Sequence, residues 1–205
     1  MKIALTGGIA CGKSLLSSFL NEFGVETLDA DDVVHELIPD PEERRRIAAE
    51  VFSNPEKRRA LEAKLHPQVK ERIDQWFDRT NGTNRTTGTD VTNGTSARLV
   101  SPGGLGGSIC SVHVAIIPLL FEAHWEKNFD IICCVASTRE NQVTRMVATR
   151  GMTHAEAEAR LAAQLPVEEK ARRSHYVIRN DGTAEELRAE AQKFVDWLKQ
   201  SNLQR

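Results

Sequence analysis

The chain has 205 residues, with 27 Lys+Arg against 29 Asp+Glu, a formal net charge of −2 and 40% hydrophobic residues. That length and balance predict a single domain over 1–205 with a real core, and argue against nucleic acid as the main partner. No apolar run approaches the ~20 residues of a membrane helix, and no charged stretch leads into a long apolar one at the start, so neither a membrane partner nor a secretory signal is expected.

The first elements lie in "KIALTGGIACGKSLLSSF". Ile3–Leu5 reads as a short buried strand and Lys13–Phe23 as a helix, with Gly7–Ser14 between them matching G-x-x-x-x-G-K-[ST]. Small residues there let backbone N–H groups wrap a phosphate, and the helix beginning near Gly12 adds its positive end. The nucleotide-binding stretch is therefore Gly8, Ile9, Ala10, Cys11, Gly12, Lys13, Ser14 and Leu15. Lys13 would reach the β- and γ-phosphates of ATP, and Ser14 would offer a hydroxyl to Mg²⁺. Cys11 fills a serine-sized space. A thiol lowered in pKa by the helix N-terminus is the sharper alternative.

Val25–Leu28 reads as the second strand, ending in "LDADD". In an α/β sheet the carboxyl ends of strands line the ligand crevice. A carboxylate at Asp31 is expected to take a proton from an attacking hydroxyl or to hold Mg²⁺ indirectly, with Asp29 beside it. Helix capping is the competing role for Asp29 and Asp31, and Asp32 is assigned to capping or solvent.

A helical region then runs from Asp31 to about Arg79, broken near Pro39–Pro41 and near Pro55. Residues 80–108 are rich in Thr, Asn, Gly and Ser and are expected to form a flexible surface insertion. Val112–Ile117, Asp130–Val135 and the weaker Tyr176–Ile178 complete the strands. Alternation of strand and helix predicts an α/β fold with a five-stranded parallel sheet. Near-continuous apolar strands such as "IICCVA" fit a sheet covered on both faces.

Ser137–Glu140, Thr153–Glu156 and Thr183–Glu186 have capping-box spacing. Arg145, Arg150, Arg160, Gln164, Lys170, Arg172 and Arg173 read as a mobile basic flap that closes over phosphates. In the last helix Leu187, Ala191, Phe194, Val195 and Leu198 share one face and predict core packing. The four cysteines fit no zinc spacing. Cys133 and Cys134 point to opposite faces of a strand, and a reduced, cytoplasmic chain follows.

"LTGGIACGKS", "LDAD", "LHP" at Leu65–Pro67, "PLLFE" at Pro118–Glu122, "TRGMTHAEAEARLAAQ" and "YVIRNDGT" occur in one order along nearly the whole chain outside 80–111. Together they resemble the dephospho-CoA kinases, P-loop enzymes that use ATP to phosphorylate the ribose 3′-hydroxyl of dephospho-CoA. The resemblance implies a P-loop NTPase-type core about 1–36 and 112–205, an acceptor-side helical region about 37–79 and a lid about 150–174. It implies Asp31 as the base, Lys13 and Arg150 as charge stabilisers, and Arg145 as a lid residue. It places Asn180 and Gly182 at the adenine, and Asp29, His66, Pro118, Leu119 and Glu122 toward the acceptor. Three features depart from the pattern: a short bridge "IPDPEE", Ile117 where an acid often precedes "PLLFE", and Arg179 where Asp is frequent before Asn180. A GTP-dependent switch would need Asn-Lys-x-Asp, which is missing. A binding module without turnover and another small-molecule kinase of the same fold stay open, as does the oligomeric state.

Overall fold

The computed structural model describes residues 1–52, 54–82 and 112–203. Five parallel strands form one sheet in the order β2-β3-β1-β4-β5: β1 Ile3–Gly7, β2 Glu26–Asp29, β3 His113–Ile116, β4 Ile131–Ala136 and β5 Tyr176–Arg179. β1 is central, with Ile3 beside Val114 on one side and Ile131 on the other. β1, β3 and β4 are buried along their whole length, which is why they read as apolar runs rather than as alternations.

Helices cover both faces. On one, α1 (Lys13–Glu22) and α8 (Ala184–Leu203) bury Leu16, Leu20, Leu187, Ala191, Phe194, Val195 and Leu198 against Ile3, Leu5, Cys133 and Val135. On the other, α2 (Ala30–Leu37) and α4 (Pro55–Gly82) set Val33, Val69, Ile73 and Phe77 against Ala4, Ala115 and Ile132. α3 (Pro41–Phe52) packs on α4, which continues through Pro67. The helical breaks fall at the prolines, as the sequence predicts. The expected insertion over 80–111 begins as the last turn of α4, and from residue 83 it lies outside the described residues.

α5 (Arg139–Arg150), α6 (His154–Ala162) and α7 (Val167–Arg172) follow β4. Thr153 and Glu156 form the predicted reciprocal cap of α6. Thr183 and Glu186 likewise satisfy each other's backbone N–H before α8. The cap expected at Ser137 is corrected: Thr138 caps α5, accepting from Asn141 N. Ser137 is fully buried and donates across to Asn180 O and Asp181 Oδ1, so its hydroxyl is engaged elsewhere.

The basic flap also needs a correction. α7 packs against β4 and β1, and Lys170 is fully buried within the body of the protein. Arg172 pairs with Glu169, and Arg173 with Glu126 over the face of Phe121. Lys170 is thus fixed inside the protein, whereas Arg172 is held only by an exposed pair on its own helix.

Candidate active site

Because the sheet is parallel, the carboxyl ends of its strands open on one edge. Gly7, Asp29 and the segment starting at Ile117 therefore leave the sheet side by side. The turn after β1 passes through Ala10 at φ 58° and Gly12 at φ 94°, both in the left-handed region, before α1 begins. A cavity of about 400 Å³ lies above it, lined by Ile9, Ala10, Gly12, Lys13, Ser14, Leu15, Asp29, Asp31, Ile116, Pro118, Arg145, Thr149, Arg150 and Gln164.

The Lys13 ammonium donates to the carbonyls of Gly7 at 3.1 Å and Gly8 at 2.8 Å. Burial, with Lys170 nearby, pulls its pKa below the usual lysine value, while Asp31 among others pulls it the other way. Asp29 is the N-cap of α2 and accepts from Asp31 N at 2.9 Å. Burial pushes the Asp29 carboxyl up, and the Asp31 and Asp32 charges add to this. Asp31 itself is exposed in the first turn of α2 and faces the cavity, so the capping role falls to Asp29. Asp32 stands 4.0 Å from His35 on the exposed face.

A second cavity, about 200 Å³ and mostly apolar, adjoins the first; it is lined by Ala30, Asp31, Val34, Leu61, Leu65, His66, Val69, Ile117, Pro118, Leu119, Ala123 and Trp125. Asp31 and Pro118 line both cavities. His66 meets the edge of Trp125, with ring centroids 5.2 Å apart. Trp125 was not legible as a site residue, because no spacing links it to a helix sixty residues earlier.

Several predicted residues stand away from both cavities. Glu122 faces α7: its Oε1 is 2.8 Å from Lys170 Nζ and accepts from Leu165 N at 3.1 Å, while its buried Oε2 has no hydrogen-bond partner. Lys170 Nζ also donates to Pro118 O at 3.0 Å. Asn180 is buried, with its amide donating to Cys11 O at 2.8 Å, and Gly182 is exposed in the following turn. Arg145, by contrast, lines the polar cavity from α5 and donates to Ala10 O, Ser137 Oγ and Asn180 O. Cys11 is fully buried, and burial raises its thiol pKa against the lowering from Lys13, so it is the space-filling residue and not a thiolate. Burial raises Cys133 as well and pushes Cys134 up to about 12; all three are free thiols.

The arrangement holds a phosphate loop with its lysine, two arginines and a carboxylate between a polar and an apolar cavity. It suits transfer of a phosphoryl group to an alcohol.

Comparison with known proteins leads to the same chemistry. A family model described as dephospho-CoA kinase matches residues 1–43 and 108–186. A dephospho-CoA kinase from Synechococcus sp. (strain JA-3-3Ab) is 35% identical, covering 94% of this chain and 90% of the relative. One from Geobacter sulfurreducens is 32% identical over 96% and 97%. A crystal structure from Thermus thermophilus has 31% identity and a TM-score of 0.69, covering 95% of each chain. In fold alone the chain also matches a Campylobacter jejuni dephospho-CoA kinase, with 21% identity, a TM-score of 0.66 and coverage of 98% and 100%. The shikimate kinase of Bacteroides thetaiotaomicron has the same fold, with 12% identity, a TM-score of 0.55 and coverage of 97% and 98%. The chain belongs to the dephospho-CoA kinase family and is an ATP-dependent kinase acting on a small molecule, the reaction that closes coenzyme A synthesis.

Proposed function

We propose that the two cavities divide the substrates between them: the triphosphate of ATP in the polar one, and dephospho-CoA entering from the apolar one with its ribose 3′-hydroxyl at Asp31. The observation that carries this reading is that Asp31 and Pro118 line both cavities, so the carboxylate stands where the two substrates must meet. Backbone N–H groups of Gly8–Leu15 cradle the phosphates, aided by the N-terminal end of α1. Lys13 and Arg150 stabilise the charge on the transferring group, with the Arg145 guanidinium at the cavity wall. Asp31 accepts the hydroxyl proton as the oxygen attacks phosphorus. His66, Pro118 and Leu119 flank the acceptor. Asp29 fixes the start of α2 and so the position of Asp31. The turn of Asn180 and Gly182 borders the adenine through its backbone, and α6 serves as the lid.

The Ser14 hydroxyl and the carboxylates of Asp29 and Asp31 share one cavity, an all-oxygen set that suits Mg²⁺ bound jointly with phosphates. Among the described residues no group of three or more His, Cys, Asp or Glu is placed to hold a metal ion by itself. Mg²⁺ there would neutralise phosphate charge. No helix of the described residues is long and apolar enough to cross a membrane. The reduced thiols of Cys11, Cys133 and Cys134 support a cytoplasmic setting for the reaction.

The test is formation of CoA from Mg-ATP and dephospho-CoA, followed by chromatography. Lys13→Ala and Asp31→Asn are each expected to lower kcat by about 100-fold or more. Tight binding of dephospho-CoA with no product would replace the reading with a binding module. GTP hydrolysis without an acceptor would replace it with a switch.

A further inference from the structure

We propose that Gln142, Arg145 and Asn180 are positioning residues for the phosphate cradle. They grip the carbonyls of Ile9, Ala10 and Cys11, and so aim the N–H groups of the same peptides at the bound phosphates. The proposal rests on the reading of Gly8–Leu15 as the seat of the triphosphate.

Three consecutive loop carbonyls each meet a side-chain donor from outside the loop. Gln142 Nε2 donates to Ile9 O at 2.7 Å, Arg145 Nη1 to Ala10 O at 3.3 Å, and Asn180 Nδ2 to Cys11 O at 2.8 Å. A peptide is planar, and its C=O and N–H point opposite ways. Fixing these carbonyls therefore fixes the N–H groups of Ala10, Cys11 and Gly12. Among the described residues, Cys11 N reaches Gly8 O only at 3.4 Å, and neither Ala10 N nor Gly12 N donates to another backbone group in the turn. The Ala10 and Gly12 N–H groups are left for a ligand, and the long Cys11 bond is weak enough to yield to one.

The donors are themselves held. Arg145 Nη2 donates to Asn180 O at 2.8 Å, and Asn180 N to Ala136 O at 2.9 Å, so the clamp is built onto the end of β4. Gln142 and Asn180 are 3% and 6% exposed, so water does not compete for their amides. Ala10 sits at φ 58°, a conformation that costs energy for a residue with a Cβ and persists where its surroundings impose it. The loop glycines fit the same arrangement: a Cβ on Gly8 would collide with Gln142 Nε2, and one on Gly12 with Asn180 Nδ2. These glycines leave room for the clamp as well as for the phosphates.

Gln142→Met and Asn180→Leu remove one donor each at similar volume, and they sit on different segments, so either folded variant suffices. Calorimetric titration with inorganic tripolyphosphate probes the cradle without adenine or acceptor. Each variant is expected to bind it about tenfold more weakly, close to the worth of one hydrogen bond. KM for ATP should rise by the same factor, with KM for the acceptor within about twofold of wild type. Wild-type affinity for tripolyphosphate in a folded variant would overturn the clamp, and so would a loss shared equally by acceptor KM. A wild-type protein that takes up no tripolyphosphate would overturn both the clamp and the reading of the loop beneath it.

Discussion

At the scale of single residues, the fully buried Lys170 marks where charge is structural. Its ammonium joins Glu122, Pro118 O and, through Glu122, the Leu165 backbone. It thus ties the α6–α7 connection to the strand end that borders both cavities. Removing one partner of a buried pair leaves the other uncompensated. Lys170→Met is therefore expected to destabilise the protein by about 3–5 kcal/mol in urea unfolding, and Lys170→Met/Glu122→Leu to recover most of it. A single variant no worse than the double would mean the pair anchors nothing. The buried thiols give a second expectation. Iodoacetamide at neutral pH should leave Cys11, Cys133 and Cys134 unmodified in the folded protein, read by peptide mass mapping; rapid labelling of Cys11 would restore the reactive-thiolate reading. Asp181 supplies the pH dependence. Its partial burial would raise its carboxyl, but Thr138 N, Ser137 and Asn141 donate to it and hold it below the ordinary value. A depressed folded pKa stabilises above the unfolded value, and that contribution is lost as pH falls through the folded one. The Tm advantage of wild type over Asp181→Asn should be full above roughly pH 4 and shrink below it; an advantage that grows with acid would contradict the hydrogen bonding.

At the scale of elements, helix ends and strand ends set the site. Thr183 and Glu186 cap α8 reciprocally, and α8 carries one side of the core. Thr183→Ala is expected to cost about 1 kcal/mol in urea unfolding, with kcat unchanged. The box spacing located the caps of α6 and α8 because each partner lies in the same turn. It misplaced the cap of α5, because Ser137 bonds to residues more than forty positions away and local spacing carries no trace of them. Gln142 was missed for the same reason: its partner Ile9 is 133 residues distant. Nothing along α5 marks this glutamine as different from a solvated one.

At the scale of the whole molecule, the sheet order makes the site. β1 is the centre, flanked by β3 and β4, and its C-terminal end delivers the phosphate loop between Asp29 and Pro118 on one side and Ser137 and Asn180 on the other. Leu5 lies at the middle of β1 and is fully buried, so Leu5→Ala is expected to cost about 2–5 kcal/mol of global stability by urea titration.

Strand and helix identities, the phosphate loop and the break points at Pro41 and Pro55 were readable from the chain, because each rests on local chemistry: apolar runs, glycines beside a lysine, and prolines that suit the first turn of a new helix. The order of the strands, the burial of Lys170 and the three-carbonyl clamp depend on contacts between distant segments, which periodicity and composition do not encode. Asp31 shows the boundary between the two. Its acidity and its place after a strand were visible in the sequence, but only the folded packing of α2 and α4 set it on the wall shared by a polar and an apolar cavity.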